Sequence, residues 1–486
     1  MTIMIKLILS ALFSIYSVQW IFLKILKISK IKGLVDNPNV RKLQKNPMPV
    51  LGGLAVFFGF LMGLLFFCAV NVGEITVNSP LIIGAGILLF FGAMDDILNL
   101  TPKSRILIEI AVMLGLIYGS GLCIDSLYGL WGIQNFSWWI AVPFTVFVGV
   151  GIINAYNMVD GVNGLSSGLC IVCGLYYAII FWHRMEYSDC ALAVCFSASM
   201  LPFFFHNVFG KKSRMYIGDS GTMVMGIIVT WFSIRILSST HNPNIEGIGF
   251  LLAEHEVGLV AMVLSIASVP VFDTVRVMFM RILAGKSPFV GDKTHLHHIF
   301  ISVGFSHFFT TIIEILINSF VVLVFLLSYM TGMSVDSQLY MTIAASIIGV
   351  WGTYYFMLYH VNRKSRLYSL LKNYSSHTHL GEKKWWLRLQ QFLDREAFED
   401  YRLIIVNRYN KPIEELTKIE IYESSIVNYL QGRNQIRLSD LREEGLVADQ
   451  YFDVVINSLL EKNILECIKR NYEGTIEILR ITKGSI

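Results

Sequence analysis

Charge is scarce in this sequence. Only 15% of its 486 residues are Asp, Glu, Lys or Arg, whereas soluble domains carry about 25%. That deficit excludes an ordinary soluble fold for most of the chain. Neither sign is in large surplus: the net charge of +4 is too small for an electrostatic nucleic-acid binder. Cysteines are few, seven in all, and most lie within apolar runs. Cys170 and Cys173 form C-x-x-C inside a hydrophobic segment with no strand–helix–strand setting, so they read as buried core thiols. The histidines have no thiolate partner and no H-E-x-x-H spacing, which argues against zinc. The first apolar run follows Lys6 but has no A-x-A cleavage site, and its length favours a retained helix over a signal peptide.

Apolar residues are abundant: 54% of the chain is hydrophobic and the mean hydropathy is +0.58. Runs of about 20 apolar residues can cross a bilayer. Eleven are read, near 3–27, 50–70, 81–97, 106–124, 138–153, 165–182, 190–206, 221–238, 259–281, 309–330 and 339–360. Lys and Arg follow spans 1, 3, 7 and 9. The loops near 71–80, 125–137, 239–258 and 331–338 have none, and the loop near 183–189 has only Arg184. Positive charge marks the cytoplasmic side, so the N-terminus is expected outside and the C-terminus inside. The predicted fold is an all-α polytopic membrane protein of about 11 transmembrane helices over 1–360. A charged cytoplasmic extension over 361–486 holds 20 of the 39 Lys and Arg and 18 of the 35 Asp and Glu.

Polar clusters sit where the apolar runs end. A membrane penalises ionisable groups in its core but tolerates them at helix ends. Asp95 and Asp96 close span 3. Adjacent helical residues point about 100° apart, so one is expected to face a metal or phosphate while the other orients a neighbour. In NAYNMVDGVNG, Asn154, Asn157 and Asp160 recur every third residue and are expected on one helix face, beside Gly161, Gly164 and Gly168. Amide and carboxylate oxygens of this kind suit Mg²⁺ and phosphate. Asp219, in GDSGT, fits either a helix cap or a metal ligand. His295, His297 and His298, after Asp292 and Lys293, are read as contacts to phosphate or sugar rather than zinc.

These motifs, with LVDNPNVRK…NPMPVLGGLAVF (34–57) and PVFDTVRV (270–277), resemble the polyprenyl-phosphate N-acetylhexosamine-1-phosphate transferases, the MraY/WecA superfamily. The resemblance covers residues 30–305, and the H-x-H-H form is similar to its bacterial branch acting on UDP-GlcNAc or a related UDP-N-acetyl sugar. Three positions depart from the usual pattern: Asn99, Val50 and Gln44 stand where Asp, Arg and His are frequent. The resemblance implies transfer of N-acetylhexosamine-1-phosphate from a UDP-sugar to undecaprenyl phosphate, with Mg²⁺ (or Mn²⁺) and release of UMP. It implies Asp219 and Asn157 as metal ligands, and Asp95, Asp96, Asp160, His297 and His298 as catalytic. Asn154, Arg105, Lys103, His295, Asp292 and Lys293 are implied to bind substrate. Asp95 is left either as a base or as a positioning group.

The implied setting is the bacterial cytoplasmic membrane with a cytoplasmic active site. Expected partners are the lipid phosphate, the nucleotide sugar, a second copy of the chain, and a protein contacting the tail. Two rival readings are a polytopic transporter and an inactive scaffold acting through its tail. Transporters place coupling carboxylates near the membrane midplane, unlike the helix-end acids here. In the tail, residues 364–398 are basic and aromatic and suit an anionic leaflet. Residues 435–482 read as a winged-helix-like module around turns at Gly445 and Tyr472-Glu473-Gly474. Val454, Val455, Leu459 and Leu460 of its second helix are expected to be buried. Asp449, Gln450, Asp453, Asn457 and Glu461 are expected outside, an acidic face unsuited to DNA.

Overall fold

The computed structural model describes residues 2–32, 34–36, 48–71, 79–98, 100–239, 256–288, 293–409, 418–430, 435–444, 446–447, 449–461, 464–470 and 476–481. Two compact units form, Met1–Phe398 and Glu399–Ile486. The first therefore runs past the boundary expected at residue 360.

In the first unit the apolar runs form helices: α1 (Ile3–Lys32), α2 (Gly52–Ala69), α3 (Ser79–Leu98), α4 (Pro102–Ser120), α5 (Trp138–Met158), α6 (Leu165–His183), α7 (Tyr187–Phe209) and α8 (Gly218–Leu237). After these come α9 (Leu259–Ile266), α10 (Ser268–Leu283), α11 (Leu296–Val303), α12 (His307–Met330), α13 (Val335–Ser346) and α14 (Thr353–Asn362). A π-helical turn at Ile347–Gly352 joins the last two into one helical stretch. Among the described residues nine helices are long and apolar enough to cross a membrane, ten if α9 and α10 count as one span bent by 79°. Helix α4 has the length, but Lys103, Arg105 and Glu109 interrupt its apolar run. Backbone amides inside a bilayer must bond within their own helix, which is why such a chain becomes a helical bundle.

Helix α8 is the axis of the bundle, buried from Ser220 to Leu237. Glycines bring its neighbours close. A methyl group on Gly53 of α2 would overlap the Gly221 backbone, and one on Gly92 of α3 would overlap Ser220. Small residues at such crossings let membrane helices touch backbone to backbone. At the far end of α8, the buried Arg235 is neutralised by Asp189 of α7, as a charge at that depth requires.

A two-stranded ribbon, β1 (Val35–Asp36) and β2 (Met48–Pro49), lies before α2. Beyond it the Gly52 and Gly53 amides donate to the Tyr216 and Ile217 carbonyls at 2.9 and 2.8 Å, tying the start of α2 to the start of α8. Two further helices, α15 (Arg366–Ser375) and α16 (Lys384–Tyr409), follow. Trp386, Leu389 and Leu393 of α16 pack with Val208, Phe209 and Phe308 of the bundle.

The second unit holds α17 (Lys418–Leu430), β3 (Ile436–Arg437), α18 (Leu438–Glu443), α19 (Asp449–Glu461), β4 (Leu465–Arg470) and β5 (Ile476–Ile481). Its antiparallel sheet has the order β3-β5-β4. Val455 and Leu459 are buried with Ile426, Leu441 and Leu479, and Leu460 is half-buried. Asp453 and Asn457 are exposed, and Arg442 pairs with Asp453 at 2.7 Å. The side chains of Asp449, Gln450, Val454 and Glu461, and the turns at Gly445 and 472–474, lie outside the described residues.

Candidate functional site

The end of α3, the start of α4, the end of α5, the start of α8 and the loop before α11 meet at one end of the bundle. Asp95 and Asp96, adjacent on α3, diverge there. The Asp96 carboxylate accepts from the Asp219 and Ser220 amides at 2.8 and 3.3 Å. It thus caps α8 from another helix and complements that helix's positive end. Asp219 itself makes no capping bond. Its carboxylate accepts from the Asn157 amide and lies 3.5 Å from Arg105 Nη1. Asp95 accepts from the Leu100 amide at 2.6 Å and lies 3.6 Å from the same Arg105 nitrogen. One guanidinium thus stands between two carboxylates.

Arg105 is aimed by Glu109, a fully buried residue one helical turn on, through a 3.2 Å bond from Nε. Glu109 also accepts from Asn154. Helix α5 ends at Met158, so Asp160 lies in the following turn and not on the helix face expected to carry Asn154 and Asn157. Asp160 accepts from Ser166 Oγ at 2.5 Å. Burial, opposed by that bond, pushes its carboxyl up to about 6.

The histidine loop is organised by Asp273 of α10. Its carboxylate accepts from His295 Nδ1 at 2.7 Å, from the Leu296 amide at 3.1 Å and from Arg276 at 2.7 Å. The Arg276 guanidinium also donates to the Thr294 carbonyl and lies 3.6 Å from the centre of the Tyr354 ring. His297 is buried against Gly161, where a side chain would collide with its ring. Neither of its ring nitrogens has a partner among the described residues. Burial, then the neighbouring His298, hold its pKa well below the ordinary imidazole value, so it is neutral near pH 7.

Two cavities open on this cluster. The larger, about 1040 Å³, is lined by Asp95, Asp96, Asn157, Asp160, Asp219 and His298, among others. The smaller, about 320 Å³, takes in Arg105, Asn154, Arg281, His295 and His297. Asp95, Asn157, Gly161 and His298 line both. Lys103 and Lys293 are exposed and line neither, and Asp292 lies outside the described residues. Sequence reading missed Glu109 and Asp273 as site-organising residues. An isolated Glu inside an apolar run was the available signal for the first, and the PVFDTVRV motif for the second.

Among the described residues no three His, Cys, Asp or Glu side chains converge as a ready metal site. The Asp95 and Asp219 carboxylates nonetheless flank Arg105, and Asn157, whose Nδ2 donates to Asp219 and Thr222, has an amide oxygen to offer as a further ligand. Such a set fits Mg²⁺, which takes few protein carboxylates and completes its shell with water and phosphate.

Apolar helices carrying a polar, oxygen-rich junction of two cavities at one end define a class: multi-pass membrane proteins that handle a charged group at the membrane surface. The model of the glycosyl transferase family 4 matches residues 78–237. The chain is 31% identical over 289 residues to the undecaprenyl-phosphate alpha-N-acetylglucosaminyl 1-phosphate transferase of Escherichia coli K12, covering 58% of this chain and 72% of that one. It is 31% identical over 318 residues to the probable undecaprenyl-phosphate N-acetylglucosaminyl 1-phosphate transferase of Bacillus subtilis, covering 65% and 83%. The chain belongs to the polyprenyl-phosphate N-acetylhexosamine-1-phosphate transferase family.

Proposed function

We propose that this protein transfers N-acetylglucosamine-1-phosphate from UDP-GlcNAc to undecaprenyl phosphate and releases UMP, the initiating step of a cell-envelope polysaccharide. The observation that carries this reading is the junction of two cavities at Asp95, Asn157, Gly161 and His298, where two phosphate-bearing substrates can meet.

The larger cavity takes the nucleotide sugar and the smaller the lipid phosphate. Beside the smaller one, α10 leaves Val275, Phe279, Ile282 and Leu283 exposed, an apolar path for a polyprenyl tail. An oxygen of the lipid phosphate attacks the β-phosphorus. The new P–O bond forms as the bond to the α–β bridging oxygen breaks, and UMP leaves with that oxygen. A phosphate monoester has its second pKa near ~6, so this nucleophile needs alignment more than deprotonation. Asp95, held by the Leu100 amide and beside Arg105, is therefore assigned as a positioning group and not an obligatory base. Arg105, His298 and neutral His297 hold phosphate or sugar oxygens. Asp219, Asn157 and Asp95 are the residues that would hold Mg²⁺, which when bound neutralises diphosphate charge. Such reactions are accelerated mainly by alignment and charge neutralisation.

The finer placement belongs to the same proposal: eleven spans in a bacterial cytoplasmic membrane, N-terminus outside, with the site and the tail in the cytoplasm. Helix α4 and the bent pair α9–α10 complete the eleven. The order α18, α19, β4, β5 supports a winged-helix-like module, and the exposed Asp453 and Asn457 of α19 favour a protein partner over DNA.

The test is purified protein with undecaprenyl phosphate and a panel of UDP-sugars, following UMP. Lipid-dependent UMP release, greatest with UDP-GlcNAc, is expected. No release from any UDP-N-acetylhexosamine overturns the reading.

A further inference from the structure

The larger cavity has a wall that the family motifs do not supply. Ser376, His379, Leu380, Gly381 and Trp386 line it, all downstream of residues 30–305, where the resemblance lies. This segment is fastened to the bundle at three points. At its start, Ser306 donates its amide to Thr378 Oγ1 at 3.0 Å and its hydroxyl to the Thr378 carbonyl at 2.8 Å. In the middle, Trp386 packs on Phe209 with ring centroids 4.5 Å apart, and on Phe308 at 5.9 Å. Farther on, one carboxylate oxygen of Asp394 accepts from the amides of Lys212 and Ser213 at 3.1 and 2.9 Å and from Ser213 Oγ at 2.8 Å, while both of its oxygens lie within reach of the Lys211 amide.

The polar groups of this wall have complementary neighbours on the bundle. His379 Nε2 donates to the Gly304 carbonyl at 2.9 Å, and in the tautomer that makes this bond Nδ1 is an acceptor. His307, which lines the same cavity, accepts the Asn163 amide on Nδ1 at 3.2 Å, so its Nε2 carries the proton. Arg214 lines the cavity with its Nε buried and without a partner among the described residues. A cation, an N–H donor, a ring acceptor and the Trp386 face are what a ribose, base or diphosphate would need.

We propose that residues 376–394 of the C-terminal extension form a fixed wall of the nucleotide-sugar pocket, with His379 contacting the uridine nucleotide and Asp394 holding the wall in place. The proposal rests on the larger cavity being the nucleotide-sugar site. Asp394 does not itself line the cavity, although its charge faces Arg214, which does; it is a positioning residue, whereas His379 is a binding residue.

The experiment uses the full chain in detergent as wild type, His379→Ala and Asp394→Ala. Binding of UDP is titrated calorimetrically, and KM is measured separately for UDP-GlcNAc and undecaprenyl phosphate. Loss of one hydrogen bond to a bound ligand weakens binding by about tenfold. Both variants are expected to raise the UDP Kd and the UDP-GlcNAc KM by about that factor, with the lipid KM unchanged. Unchanged nucleotide affinity in both, an equal rise in the lipid KM, or a wild type that does not bind UDP overturns the proposal. If Asp394→Ala does not fold, His379→Ala decides alone. A wild type that binds UDP but turns over no UDP-N-acetylhexosamine sinks the transferase reading, and the wall is then judged on the UDP titration.

Discussion

Asp96 and Asp219 do not play parallel parts: the Asp96 carboxylate accepts the Asp219 backbone amide at 2.8 Å, so one acid builds the helix start that presents the other. The two should therefore separate experimentally. Asp219→Ala is expected to retain its thermal stability and lose about a thousandfold in Mg²⁺-dependent turnover, the scale of several kcal/mol of lost charge neutralisation. Asp96→Ala leaves two part-buried amides at the start of α8 without their acceptor, a loss of about 1 kcal/mol or more in all. Its melting temperature should fall along with activity. Paired melting curves and turnover assays decide; an Asp219→Ala protein within a few-fold of wild type would remove it from the site.

Asp273 accepts from His295, Leu296 and Arg276 at once. Asp273→Asn keeps an acceptor for the Leu296 amide but loses the charge facing Arg276. We expect turnover to drop by at least about a hundredfold, as for other groups that orient a site, while the KM for UDP-GlcNAc changes less. Steady-state kinetics with each substrate varied in turn test this, and wild-type kinetics in the variant would refute it.

Asp160 makes stability depend on pH. Its folded pKa, raised to about 6 by burial, exceeds the ordinary ~3.9 of an unfolded Asp. The folded state then prefers the protonated form, so this contribution is complete below pH ~4 and is lost as pH rises through about 6. In EDTA, the melting temperature of the wild type should therefore decline between about pH 4.5 and 7 more steeply than that of Asp160→Asn. Parallel slopes for the two proteins would show that Asp160 does not carry the effect.

Every proposed catalytic group precedes residue 300, which by itself suggests that the whole extension from 365 is dispensable. The cavity wall at 376–386 divides that expectation. A chain ending at Phe398 should keep turnover within about threefold of full length at matched expression. A chain ending at residue 362 should show a raised KM for UDP-GlcNAc. Equal KM values for the two truncations would show that the wall is unused.

Much of this was legible without coordinates. Long apolar runs with charge confined to their ends dictate helices in a membrane, because unpaired backbone amides cannot be left in hydrocarbon. The Asp pair, the Asn157 segment, GDSGT and the histidine loop were visible because ionisable groups stand out against such a background. What the linear pattern could not show is which acid faces which partner. Asp96 is a cap and Asp219 is not, and this follows only from α3 lying against the start of α8, where Gly92 leaves room for the Ser220 backbone. The three-residue spacing of Asn154, Asn157 and Asp160 suggested one face, but α5 stops at Met158: Asn154 lines only the smaller cavity, Asp160 only the larger, and Asn157 both. Glu109, buried between Arg105 and Asn154, and the His379 wall, some 80 residues beyond the last motif, join the site through contacts between segments far apart in sequence. Helix periodicity is a local property of the chain, whereas the pairing of one helix end with another is set by packing, so that part was decided by the tertiary structure alone.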